Sequence, residues 1–556
     1  MAEAQQDLFT HWRHQNAWRI LDTDWQGGRQ FLASWAAWRS DPNRPRMLHY
    51  VALCNSLNSG SADLAAALPV DALPALAKIL TDQTLHLEPG FNRLMFEQGQ
   101  VLLTLCIGDL KTHLRAQSFF ADDIFLPRFD TETWDRWALQ ALMRTCRRGT
   151  RLFVAELEPG KSGIFSNLGF DAQPGGDSVS FRGSFNPRWH PKGSRRRYGH
   201  AVLPPSRCVV VGAGLAGAAT AASLARRGWE VLVLGAGATP ADGASSLPVG
   251  LMMPQPSKDD SRRTRLLRAG VSLTRQQACQ HLINEEDWSA SGVMSLRPDE
   301  APLWMPTGAW VKPDRLVQAW LSQPEVRFQG STLVASIQCL AGEWILRDAA
   351  QTVLARANLV VMACAGGSVA MLSQSGWQLR SPLIGFHGQI SWASERGCDQ
   401  AVLPATAVNG HGTFVPHVPT AQGLAWFAGA TFTPETQPRL TTLEAHHANL
   451  ARLAKLLPDT ANALAGQFEA GAVNAWESTR FSTPDRLPLV GLLNDSNLAP
   501  NLAPLCINTG YGSRGLSWSV LCGELLAAQL GGEPYPIEAI LAGAVDCHRN
   551  IQRQET

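Results

Sequence analysis

Arg207–Gly235 reads RCVVVGAGLAGAATAASLARRGWEVLVLG, an order of strand, glycine turn, helix and strand. Cys208–Val211 is an unbroken apolar run, as a strand covered on both faces requires. Gly212, Gly214 and Gly217 then supply the spacing G-x-G-x-x-G, with Ala213, Leu215 and Ala216 between them. The first glycine permits a tight turn, the second lets a pyrophosphate approach the backbone, and the third lets helix and strand pack closely. The helix N-terminus beyond offers free N–H groups and a positive dipole end to the phosphates. Ala218–Leu224 is rich in small residues, Arg226 and Arg227 fall in the last turn, and Gly228 stands at the C-cap. Trp229–Leu234 is the next buried strand. The expected ligand is a dinucleotide. One element is missing: Gly235 stands where an acid would bind a ribose hydroxyl, so that contact is expected to be weak.

At 556 residues the chain is long enough for two or three domains. A formal net charge of +1 provides no global field for nucleic acid, so any such binding must use local patches. The eleven cysteines form no C-x-x-C pair, which fits reduced thiols in a cytoplasm better than a metal cluster or a disulfide framework. The start, MAEAQQDLFTHWRHQNAW, has no apolar signal core, and no apolar run is long enough to span a bilayer. The expectation is a cytoplasmic protein with neither a metal nor a membrane among its partners, and no protein partner can be inferred.

Residues 1–185 alternate strand and helix. Strands are expected at Trp18–Leu21, Leu48–Leu53, Val101–Leu105, Asp123–Leu126 and Leu152–Ala155. Helices are expected from Arg29 to Trp38 and around Trp134–Cys146 and Gly163–Leu168. That rhythm belongs to a doubly wound sheet. Residues 186–206 read as a linker rich in Pro and Gly with Arg188, Lys192, Arg195, Arg196 and Arg197, either solvated or touching a phosphate backbone. Residues 207–556 form the last domain. Leu359–Met362 is a buried strand leading into a small-residue turn, Thr441–Leu456 has helical spacing, and Cys506–Gln529 reads as strand, glycine turn and helix. A nucleotide lobe that opens at Arg207 and is closed by the end of the chain is the layout of FAD enzymes.

These stretches resemble the MnmC proteins, bifunctional tRNA-modifying enzymes with a SAM-dependent methyltransferase domain followed by an FAD-dependent amine oxidase domain of glycine-oxidase type. The likeness covers about Cys208 to Leu530. Beyond the glycine turn it includes GAS at Gly243–Ser245, SKDD at Ser257–Asp260, TGAWVKPDRLVQAWL at Thr307–Leu321, HGQIS at His387–Ser391 and GATF at Gly429–Phe432. It closes with TPDRLPLVG at Thr483–Gly491 and GYGSRGLSWS at Gly510–Ser519. Gly235 departs from the pattern, as does His387, where the family has an Arg before GQ. The fold class implied is α/β: a Rossmann-like methyltransferase-type domain, then an FAD-binding Rossmann domain with a mixed-sheet substrate subdomain around 300–440.

The N-terminal likeness is broken where it matters. AWRILDTDWQGGRQFL resembles a family stretch ILETGFGTGLNFL, but Asp24 and Gln26 occupy two of three glycine positions and only Gly28 remains. Cys54 stands where an acid would hold the SAM ribose, and Pro127 replaces a catalytic-site Asp. Ile107-Gly108-Asp109 survives. The expectation is a methyltransferase fold that no longer binds SAM, with a relocated and still active site as the alternative.

The resemblance implies action on a wobble uridine carrying a carboxymethylaminomethyl group. The flavin would oxidise the C–N bond beside the carboxylate, and water would release glyoxylate and leave aminomethyl-uridine. Such a reaction needs a carboxylate clamp, for which Arg480 and Arg514 are the candidates, each open to the alternative of a structural ion pair, Arg480 with Asp485. Ser245, Ala363, Gly512, Ser513, Gly515 and Leu516 join the 212–217 turn as expected FAD contacts, with the Leu516–Gln529 helix N-terminus aimed at the flavin. Asp259 and Asp260 either pin a loop over the cofactor or face solvent, and His387 is expected to be packed. One or two tail tryptophans could stack a splayed base. Three alternatives stay open: an oxidase of a free amine or amino acid such as glycine or sarcosine, a fully bifunctional enzyme, and a tRNA-binding scaffold without flavin.

Overall fold

The computed structural model describes residues 11–55, 74–84, 87–173, 179–189, 202–298, 300–494 and 502–549. Lys192 and Arg195–Arg197 of the expected linker lie outside them. The chain forms two compact units: 1–204 with 527–543, and 205–526 with 544–556. The first therefore takes in 527–543, which the sequence reading groups with the C-terminal domain.

In the first unit eight strands share one sheet: β1 (Ala17–Asp22), β2 (Met47–Cys54), β3 (Gly90–Phe96), β4 (Val101–Ile107), β5 (Asp123–Phe129), β6 (Arg151–Leu157), β7 (Phe170–Ala172) and β8 (Phe181–Phe185). Their order is β3-β4-β2-β1-β5-β6-β8-β7. The run β4-β2-β1-β5-β6 is parallel throughout, and antiparallel strands close both edges. β2 and β4 are buried at every position, which explains why they read as continuous apolar runs. The chain leaves β1 toward β2 and β4 and returns to β5, so the switch point of this doubly wound sheet lies between β1 and β5. The segment 527–543 is tied in by backbone acceptors: Arg93 donates to Pro534 O at 2.7 Å and Arg19 to Gly531 O at 3.0 Å.

The second unit has a nucleotide lobe and a substrate lobe. β9 (Arg207–Val211) and β10 (Glu230–Leu234) belong to a six-stranded sheet in the order Val326–Gln329, β10, β9, Leu359–Met362, Leu505–Thr509, Leu489–Leu492. The helix Leu215–Arg226 packs on it with Gly217 and Ala218 through Arg226 buried. Its close neighbour is the helix Gly515–Gly531, where a Cβ at Gly523 would stand 2.9 Å from Ala219 O. Arg226 and Arg227 do more than face the C-terminal dipole. Both bind Glu524, at 2.8 Å and 3.0 Å. Burial alone would raise that carboxyl, but the two guanidinium groups hold it well below the usual range.

The substrate lobe is a second eight-stranded sheet whose strands come from 293–305, 384–434 and 474–482, beyond the 300–440 stretch at both ends. Its longest strand, Ile384–Ser394, pairs with Asn474–Ser482 on one side and Gly423–Gly429 on the other. This pairing carries residue 480 from the tail into the substrate lobe, opposite Phe386. Among the described residues no helix is long and apolar enough to cross a membrane.

Candidate functional site

A cavity of about 1180 Å³ runs through the second unit. One end is the turn after β9. Gly212 has φ +113°, and a Cβ there would stand 2.5 Å from Ala363 O, so the turn requires glycine both for its conformation and for its contact with the neighbouring strand. A Cβ at Gly214 would stand 2.8 Å from Ser245 Oγ, and one at Gly217 would collide with Gly212 O. Ser245 accepts the first free helix donor, Leu215 N, at 3.0 Å. This is a cradle that backbone fills and side chains would close, and it fits a pyrophosphate.

Of the residues singled out from sequence, Gly212, Ala213, Gly214, Leu215, Ala216, Ser245 and Ala363 line this end of the cavity. Gly217 does not; its place is the helix–strand contact. Gly512, Ser513, Arg514, Gly515 and Leu516 line the wall farther along, together with Arg480. The walls between carry Leu247, Val249, Leu251, Ile390 and Phe427. Neither His387 nor Asp259 nor Asp260 is on the cavity wall. His387 is buried, with Nε2 3.3 Å from Glu477 Oε2, and Asp260 pairs with Arg268 at 3.0 Å.

Gly235 has a steric reason. A side chain there would meet Phe328 at 2.8 Å and the Ala213 methyl at 3.2 Å. Two residues on, a Cβ at Gly237 would run into the carboxylate of Asp242, which lines the cavity. An acid seven residues after Gly235 thus reaches the cavity wall. Local spacing could not reveal this, because the loop must fold back, held by Ala241 N to Ala213 O at 3.0 Å.

Arg480 reaches the cavity from its strand. Nη1 donates to Ser513 Oγ and Nη2 to Thr431 O, both at 3.1 Å, while Nε is buried without a partner. Burial lowers its proton affinity. The Arg480–Asp485 ion pair considered from sequence is not formed, for Asp485 binds Arg549 at 2.9 Å. Arg480 therefore has no carboxylate partner among the described residues. Its guanidinium sits 5.6 Å from the ring of Phe432, which also lines the cavity, is 47 % exposed and stacks on Phe386 at 4.3 Å. Trp476 is a further lining aromatic, donating to Ser246 Oγ at 3.0 Å. The sequence reading pointed to tail tryptophans for stacking and did not single out Phe432, an exposed aromatic on the cavity wall. Its signal was an aromatic after GAT, where a core residue was equally reasonable.

At the switch point of the first unit the turn after β1 is of another kind. Thr23 N bonds Phe125 O at 3.0 Å and Trp25 N bonds Leu53 O at 2.9 Å, so the turn lies across the strand ends. The Trp25 indole is only 5 % exposed and packs 2.7 Å from where a Cβ at Gly28 would stand. Asp24 and Gln26 point to solvent, with Gln26 at φ +40°, a left-handed conformation that glycine would adopt without strain. Asp22, at the end of β1, is buried and accepts from Tyr50 Oη at 2.6 Å. Asp109 of the surviving Ile107-Gly108-Asp109 caps the helix Leu110–Arg115 through Thr112 N at 2.8 Å. The glycine turn expected of a SAM site is thus altered: the Trp25 indole packs beside Gly28, and Cys54 closes β2 where the resemblance implies an acid.

Comparison with known proteins agrees with the cavity. A family model described as FAD dependent oxidoreductase matches residues 207–304 and 298–529. A tRNA 5-methylaminomethyl-2-thiouridine biosynthesis bifunctional protein MnmC from Albidiferax ferrireducens is 45% identical, covering 97% of this chain and 95% of its own. Its counterpart from Polaromonas naphthalenivorans is 40% identical, over 96% and 90%. Among solved structures, glycine oxidase from Geobacillus kaustophilus aligns over 62% of this chain and 100% of its own, with a TM-score of 0.50 and 20% identity, a likeness of fold. The second unit is an FAD-dependent oxidoreductase.

Proposed function

The chain belongs to the MnmC family of tRNA 5-methylaminomethyl-2-thiouridine biosynthesis bifunctional proteins, and on that premise we propose that it removes the carboxymethyl group from a carboxymethylaminomethyl-uridine at the tRNA wobble position. The products are glyoxylate and an aminomethyl-uridine. When bound, FAD supplies the two-electron acceptor for the C–N bond next to the carboxylate.

The observation that carries this reading is Arg480: a guanidinium on the cavity wall, with a buried Nε and no acid paired with it among the described residues. A charge desolvated without a partner is unfavourable, and a substrate carboxylate would complete it in a bidentate fork. Phe432 and Trp476 provide faces for a pyrimidine turned out of its stack. Leu251, Ile390 and Phe427 keep water from the reacting carbon. No side-chain base is required, since the neutral amine's lone pair assists departure of the electrons from the adjacent carbon. Gly212, Gly214 and the N-terminus of Leu215–Arg226 would hold the pyrophosphate, and Asp242 would take the ribose contact that Gly235 leaves open.

The first unit we read as a methyltransferase fold that has lost SAM. Trp25, Asp24, Gln26, Cys54 and Pro127 alter the glycine turn, the ribose position and the catalytic position together.

Nucleoside mass spectrometry tests both statements. Hypomodified tRNA bearing the carboxymethylaminomethyl group is incubated with purified protein, with and without SAM. Aminomethyl-uridine in both reactions, and no methylated product, is expected. Methylaminomethyl-uridine in the SAM reaction would refute the loss of SAM. Unchanged tRNA, with turnover of glycine or sarcosine, would mean an oxidase of small amines.

A further inference from the structure

Three arginines, Arg263, Arg486 and Arg514, stand on segments that pack together beside the cavity. The helix Arg262–His281 begins with Arg262 and Arg263 and has no acid in its first turn. Cations at that end oppose the helix dipole. The helix is pressed onto the segment after Arg514: Thr274 Oγ1 donates to Leu516 O at 2.7 Å, and a Cβ at Gly270 would collide with Ser517 O. Just before the helix, Gln255 accepts from Arg514 at 2.6 Å. Arg486 comes from the turn 483–487, wound round Asp485 and joined to the Arg514 segment by the bridge between Ser482 and Tyr511.

The acids nearby are engaged or turned outward. Asp485 binds Arg549 at 2.9 Å, Asp260 binds Arg268 at 3.0 Å, and Asp259 is exposed. Arg263 keeps a buried Nε without a partner. The three guanidinium groups feel one another. Burial, then Arg263 and Arg486, bring Arg514 down to about 10, and burial followed by Arg486 lowers Arg263. Like charges gathered in a half-buried place, at the wrong end of a helix, are unfavourable until an anion joins them.

Location decides which anion. Arg514 lines the cavity, whereas Arg263 and Arg486 do not. Arg480 is taken by the carboxylate inside, and two of the three arginines are off the cavity wall, so the anion they share is a second one at the edge where Arg514 meets the cavity. We propose that Arg263, Arg486 and Arg514 form a phosphate site at the cavity rim, which takes the backbone phosphodiester next to the nucleotide whose base enters the cavity. This rests on the tRNA reading above. Backbone contacts of this kind position a strand without reading its sequence. The site would fix the register in which one nucleotide is turned inward.

The test is tRNA binding by fluorescence anisotropy, using full-length flavin-loaded protein and hypomodified tRNA at salt between about 50 and 300 mM. R263Q and R486Q are each expected to weaken binding about 5- to 10-fold near physiological salt, and the double variant R263Q/R486Q to lower the slope of log affinity against log salt by about 0.7 to 0.9, the one phosphate contact the arginines share. R263K should keep most of the affinity. R327Q, the same charge change at an exposed position in the edge strand Val326–Gln329, controls for net charge, and the flavin spectrum controls for folding. If R263Q, R486Q and the double variant match the parent or R327Q in affinity and slope, the phosphate site is wrong while the tRNA reading stands. A parent protein that binds no tRNA overturns both.

Discussion

After Val211 the chain turns through Gly212 and Gly214 into a helix, and the side chains that could fill the turn are absent. After Asp22 it turns through Asp24, Trp25 and Gln26 into a helix, and an indole fills it. Both turns leave a central parallel strand of a doubly wound sheet, on the side where such folds bind nucleotides. The difference lies in whether backbone or side chain occupies the space beyond the strand end. A Cβ at Gly217 would collide with Gly212 O, while Trp25 is accommodated because Gly28 gives way to it. Core packing and the cradle depend on different residues, so the sheet stands whether or not the turn beyond its strand is open.

The comparison is broken most severely by putting a side chain into the intact turn. G217V forces helix and strand apart at a backbone contact, and FAD affinity is expected to fall more than about 100-fold, on the order of 3 kcal/mol. The check is the flavin-to-protein absorbance ratio after gel filtration, and a fully yellow variant would refute the cradle. Next in size is R480M. If Arg480 clamps the substrate carboxylate, kcat/KM on modified tRNA drops by about 10²- to 10³-fold, within the range of about 2–5 kcal/mol for one partner of a buried charged pair. R480K should recover only part of this, because an ammonium lacks the planar fork.

The filled turn makes its own prediction. Burial raises the Asp22 carboxyl from 3.8 to about 7, against the hydrogen bonds from Tyr50 and Asp24 N. The unfolded chain gives up this proton from about pH 4 and the folded chain only near 7. The unfolded state then binds fewer protons over that interval, so stability falls from about pH 4 to pH 7 and levels off above it. Denaturant unfolding at pH 5 and pH 8 should differ by an amount on the order of 2 kcal/mol from this group, at about 1.4 kcal/mol per pH unit. D22N should lack that difference; if it retains all of it, Asp22 is not the group responsible. The smallest effect expected is that of D242N, which exchanges an acceptor of a ribose hydroxyl for a weaker one. FAD binding followed by fluorescence should weaken about 5- to 10-fold, near 1 kcal/mol, and an unchanged affinity would remove Asp242 from the site.

Much of this contrast is written in local order. The apolar run before Gly212, the glycine spacing and the small-residue helix can be read directly, because each reflects a contact within some twenty residues. The strands β2 and β4 are equally legible, since burial on both faces demands unbroken apolar sequence. The antiparallel edge strands β3, β7 and β8 escaped notice: β7 is three residues long, β8 alternates over only five, and β3 mixes Asn and Arg into its apolar run. Arg480 was legible as a candidate by its residue type alone. Whether it had a partner was not, since Asp485, five residues away, is claimed by Arg549 from the end of the chain.

By itself the sequence determined a dinucleotide-type lobe, a second α/β sheet before it, and the loss of glycine from that sheet's turn. Backbone geometry at glycine and burial on both faces of a parallel strand leave few alternatives, and both act between near neighbours. Only the tertiary structure decided that Asp242 reaches the cavity wall, that the Trp25 indole packs beside Gly28, and that the segments bearing Arg263, Arg486 and Arg514 meet. Those facts depend on which distant side chains compete for the same charge or volume, and the folded chain alone sets that competition.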